Sequence, residues 1–136
     1  ERCLPRVMDT TACEAFSLYA LTIEEVKPFG DPMEFFRKYF SAFSEASIKA
    51  GCHDIVISEN TRDCIQYDIK WCVWYELAKK MNIPEACIPN CYADDLYYPD
   101  YFKKFDIKYS RKGTLARGHN SCDCRFERYG YEKDSL

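Results

Sequence analysis

Apolar residues along this chain change their spacing several times, and each change marks an element. From Phe16 through Tyr19, Ile23 and Val26 they recur every three or four positions, behind the capping-box pattern Thr11-x-x-Glu14 and ahead of Gly30. This predicts a first helix. A second begins at once, with Asp31 as N-cap, Pro32 at the first helical position and Glu34 in the first turn. Its stripe of Phe35, Phe36, Tyr39, Phe40 and Phe43, ending at Gly51, reads as core rather than as a cofactor site. The period then drops to two. Asp54 to Ser58 and Asp63 to Ile69 read as strands around the polar turn Glu59-Asn60-Thr61-Arg62, with Ile65, Tyr67 and Ile69 on one face. Trp71 to Met81 returns to a helical pattern. Asn82-Ile83-Pro84 breaks it, and Pro84 opens a short helical or irregular stretch through Cys87 and Cys91 to Tyr97. Asp106 to Ala116 and Ser121 to Arg128 are predicted as the last two strands, joined by the turn Arg117-Gly118-His119-Asn120. Within the final strand, Cys122, Cys124 and Phe126 share one side, and Asp123 and Arg125 the other. Helices first, then an antiparallel sheet with helices packed on one face, define an α+β fold. One domain spanning residues 1–136 is expected, with a frayed polar tail over 130–136.

Composition narrows the function classes. The 136 residues are 47% hydrophobic and 16% aromatic, which a chain of this length needs to bury a core. A net charge of -3, with acids and bases interspersed, leaves no footprint for nucleic acid or an anionic membrane surface. No apolar run reaches the roughly 20 residues of a membrane-spanning helix. The chain opens at Glu1 with neither an initiator Met nor a signal-peptide pattern, so what precedes it stays open. Nine cysteines are an odd number and several fall inside predicted elements, unlike a loop-rich disulfide scaffold. Reduced thiols in a cytoplasm are expected, many of them packed as small hydrophobes.

Three patterns carry candidate chemistry. Cys87-x3-Cys91, with Cys122-x-Cys124 and His119, has zinc-ligand types but lacks the C-x2-C knuckle, so no metal or other cofactor is assigned. A histidine base has only His53 and His119 to draw on. In Cys91-Tyr92-Ala93-Asp94 a thiol and a carboxylate lie three apart, neighbours on a helix and a pairing of nucleophile with proton acceptor.

The stretch DIKWCVWYELAKKMNIPEACIPNCYADD, followed by SRKGTLARG and CDCRF, resembles the C-terminal half of the L-2-amino-thiazoline-4-carboxylic acid hydrolase family over roughly residues 63–128. The matching positions are Cys72 at a helix start, the Pro84-Glu85-Ala86 turn, Cys91 with Asp94, Arg111 with Thr114 and Leu115 on an expected strand, and Cys122 with Asp123. Cys124 departs from the pattern, standing where the family has an aromatic. The end of the chain is also similar to vinyl-4-reductase-type small-molecule-binding domains, which finish on a Gly-x-x-x-Cys-x-Phe strand. The hydrolase resemblance implies a substrate that is a small carboxylated heterocycle, opened by adding water at the ring carbon between nitrogen and sulfur. It further implies Cys91 or Cys122 as nucleophile, with Cys72 converging on the same pocket, and Asp94 as acid or base. Arg111 is then expected on the substrate carboxylate, and Thr114 and Asp123 beside it. The alternative is a non-catalytic small-molecule- or metal-binding sensory domain. Either way the expected partner is a small molecule, with homo-oligomerisation left open.

Overall fold

The structure, a computed structural model, describes residues 20–131. The predicted helix behind Thr11 lies mostly outside that range. Within it, Ala20 to Thr22 is not helical, and a new capping box starts helix α1 (Ile23–Val26): the Thr22 hydroxyl accepts from the Glu25 N–H at 3.3 Å while the Glu25 carboxylate accepts from the Thr22 N–H at 2.8 Å. After a tight turn over Lys27–Phe29 comes α2 (Pro32–Lys49), where Asp31 accepts from the Met33 N–H at 3.1 Å and Pro32 occupies the position whose N–H has no partner in a helix.

Strands β1 (His53–Asn60) and β2 (Cys64–Cys72) form an antiparallel hairpin, and α3 (Val73–Lys80) follows directly. Asn82, at φ 58°, ends α3 in the left-handed conformation that Asn tolerates better than most residues. A turn over Pro84–Cys87 leads into α4 (Ile88–Lys103), longer and more regular than its sequence suggests, because packing of Ala93, Tyr101 and Phe102 outweighs the internal Pro99. Pro99 has no N–H to give to the carbonyl of Asp95. Strand β3 covers only Ile107–Ser110, and β4 covers Cys122–Arg128. The expected strand to Ala116 is thus cut short, for a reason that belongs to the site below.

The sheet order is β1-β2-β4-β3, antiparallel throughout, so the last strand inserts between β2 and β3. One face packs against the helices: Phe40 of α2 stacks on Phe126 of β4 with centroids 4.2 Å apart, and Phe102 of α4 meets the same ring edge-on at 4.8 Å. Alternation in β4 is as expected, with Cys122, Cys124 and Phe126 buried. On the opposite face Arg125 donates to Glu59, Gln66 and Glu127 at 2.7–2.9 Å. No described helix is long and apolar enough to cross a membrane. The seven described cysteines are all unpaired thiols.

Candidate functional site

Between the sheet and the helices lies a cavity of about 880 Å³. Tyr67 and Ile69 of β2 and Cys122 and Cys124 of β4 supply its floor, since these alternate positions face the helical layer, and Cys72 borders it where β2 passes into α3. Phe40 and Phe43 of α2, Trp74 and Leu77 of α3, and Cys91 and Asp94 of α4 supply walls, and Arg111 closes one end. Cys72, Cys91, Asp94, Arg111 and Cys122, singled out from the sequence, therefore border one space. Cys87 and His53 border it too.

Arg111 is the centre of the polar end. Its side chain is 3% exposed. Its Nη1 donates to Asp94 Oδ2 at 2.9 Å, its Nε to Asp95 Oδ1 at 3.0 Å, and its Nη2 to the carbonyl of Cys91. Asp95 is also paired with Arg117, 3.3 Å away. These bonds explain the short β3: two carboxylates on α4 draw Arg111 off the sheet edge, and the chain leaves the ladder after Ser110. Asp123 holds the departed loop, accepting from the Lys112 N–H at 3.0 Å and the Gly113 N–H at 2.8 Å. The Gly113 backbone in turn lies against the His119 ring, where an added Cβ would come within 2.2 Å of Cγ.

Two expected residues sit elsewhere than the sequence implies. Asp123 faces the loop backbone, not the cavity. Thr114 is 1% exposed, caps the turn Leu115–Arg117 and does not border the cavity; its hydroxyl has no hydrogen-bond partner among the described residues.

The thiols differ in setting. Burial pushes Cys91 and Cys124 up to about 12, against the pull of Arg111. Burial also raises Cys122, but its sulfur accepts a hydrogen bond from the Leu115 N–H at 3.3 Å, and Arg111 adds a second pull downward. Cys122 is thus the cavity thiol with a backbone N–H aimed at its sulfur, whereas Cys124 receives the Tyr67 hydroxyl. Burial raises Asp94 above the usual carboxylate range, while Arg111 and the Tyr98 hydroxyl favour its charged form. Asp95 and Tyr98 were missed from sequence, although Tyr98 stands four residues after Asp94, a spacing that faces the two together on a helix. Among the described residues no group of three or more His, Cys, Asp or Glu side chains is placed to hold a metal ion.

None of the curated proteins and none of the solved structures matches the chain. A family model does, over residues 3–126, reaching well into the N-terminal half that the sequence motifs left out. With a match across nearly the whole chain, spanning the cavity and its helical walls alike, the protein belongs to the L-2-amino-thiazoline-4-carboxylic acid hydrolase family.

Proposed function

We propose that the protein is a hydrolase that opens a small heterocycle in this cavity, with Cys122 as nucleophile and Asp94 as proton carrier. The observation that carries the reading is the Leu115 N–H aimed at the Cys122 sulfur on the cavity floor, a backbone donor that favours the thiolate. Attack by sulfur on the ring carbon between two heteroatoms breaks that carbon's bond to the leaving heteroatom. Asp94 takes the Cys122 thiol proton as the sulfur attacks and passes it to the leaving heteroatom, and water then releases the product and restores the Cys122 thiol. Cys91 and Cys72 border the same space and shape it. Family membership supports a hydrolase; the carboxylated substrate of the family's name rests on the sequence resemblance.

The test is turnover of 2-amino-thiazoline-4-carboxylate and uncharged analogues by wild type and Cys122→Ala. The variant is expected to lose at least 100-fold in kcat/KM while binding is retained. Equal turnover in both proteins sinks the nucleophile assignment. A non-catalytic small-molecule-binding domain is the second reading, favoured by the upward shifts of Cys91, Cys122 and Cys124, which keep these thiols protonated near neutrality. Tight binding with no turnover of any analogue would select it.

A further inference from the structure

The sequence resemblance assigns Arg111 to a substrate carboxylate, but the guanidinium is already taken. Among the described residues bordering the cavity, Arg111 is the one permanent cation. Its Nε and Nη2 both reach Asp95 Oδ1, at 3.0 and 2.9 Å, its Nη1 holds Asp94, and Nη2 also serves the Cys91 carbonyl. An incoming carboxylate must displace one of these acids and leave it desolvated without a partner, the costly outcome for a buried charge. Protonation of Asp94 changes little, because Asp95 keeps its grip. A neutral or cationic N–H group meets no such obstacle, since Asp94 borders the cavity and a carboxylate accepting from Arg111 and Tyr98 still has lone pairs to offer.

The rest of the cavity points the same way. Its volume of about 880 Å³ falls in the upper part of the roughly 300–1,000 Å³ range that holds drug-sized ligands. Away from Arg111 the walls are Phe40, Phe43, Tyr67, Trp74, Leu77 and Met81. Trp74 and Met81 are 59% and 68% exposed, so this apolar surface runs out to the mouth. A single small ring bearing a carboxylate fills little of that space and wets the remainder.

We infer that the cavity selects an uncharged or protonated, N–H-bearing heterocycle with a sizeable aromatic or alkyl substituent, and that Asp95 sets this preference by occupying Arg111. The inference rests on the reading of this cavity as the substrate site. Asp95 acts as a positioning residue; it does not border the cavity.

Binding separates the inference from catalysis. The full chain is titrated calorimetrically with three probes: 2-amino-thiazoline-4-carboxylate, its carboxamide and its N-benzyl carboxamide. The benzyl carboxamide is expected to bind at least tenfold more tightly than the acid, with the plain carboxamide between them. Trp74→Ala should erase the benzyl advantage and leave the plain carboxamide unchanged. Asp95→Asn, checked for folding by its thermal melt, frees one edge of the guanidinium and should tighten binding of the acid at least tenfold without doing so for the carboxamide. An acid that binds wild type as tightly as either carboxamide overturns the inference, as does failure of all three to bind at millimolar concentration. The hydrolase reading fails separately: the expected binding order with no turnover of any probe removes it and leaves this inference standing, whereas an acid that binds best and is hydrolysed does the reverse.

Discussion

Asp123 offers the sharpest separation between a ligand contact and a scaffold contact. Its carboxylate accepts from the backbone N–H groups of Lys112 at 3.0 Å and Gly113 at 2.8 Å, the first exposed and the second half-buried. A hydrogen bond to a charged group contributes about 1.5–3 kcal/mol when shielded and less where water competes, so about 1 kcal/mol for Lys112 and about 2 kcal/mol for Gly113 are reasonable shares. Asp123→Ala should therefore cost about 3 kcal/mol. For a chain of 136 residues the unfolding entropy is roughly 0.3 kcal/mol/K, which converts the loss into a fall in Tm of about 10 °C. Asp123→Asn keeps one acceptor oxygen without the charge and should lose about half as much. The loop so loosened carries Arg111 and leads to the Leu115 N–H that serves Cys122, so kcat/KM should fall in step with Tm across the two variants. The assays are a thermal melt and steady-state kinetics. A Tm unchanged in both variants, with ligand binding abolished in both, would refute the scaffold role and return Asp123 to the substrate.

Further outcomes follow from neighbouring residues. Cys124 is 2% exposed and receives a hydrogen bond from the Tyr67 hydroxyl, so Cys124→Ala should cost about 2–3 kcal/mol through a void and a stranded phenol. Cys122→Ala should cost about 1 kcal/mol, so denaturant melts that rank the two in the opposite order argue against the depth assigned to Cys124. Gly113→Ala should destabilise by about 1–3 kcal/mol because its Cβ meets the His119 ring, and most of that loss should vanish in a His119→Ala background; persistence there means the clash is not the cause. Burial raises Cys64, Cys91 and Cys124 from 9.0 to about 12, so the folded state keeps protons that the unfolded chain has released between those values. Stability present below pH 9 should then fall with rising pH by about 1.4 kcal/mol per unit for each thiol, read from urea melts across that window; a flat profile contradicts it.

Sequence patterning alone determined much of this protein. The Asp31-Pro32 start of α2, its aromatic stripe, the β1–β2 hairpin and the two-sided alternation of β4 were all legible, because capping, helical spacing and period-two burial act over a few residues. The family motifs marked Cys72, Cys91, Asp94, Arg111 and Cys122, and the resemblance implied one pocket for the three thiols, without indicating how the fold brings them together. Only the tertiary structure decided that, by inserting β4 beside β2 so that Cys122 faces Ile69 across the ladder and looks up at α4. It also decided what the local pattern misjudged. Residues 111–116 alternate well enough to continue a strand, but the long-range attraction of Arg111 to Asp94 and Asp95 pulls them off the sheet. The same ion pairs turned an expected carboxylate clamp into an occupied one, and the backbone released from the ladder became the partner of Asp123. Periodicity records which way a side chain faces, whereas the pairing of charges many residues apart depends on where the helices come to rest.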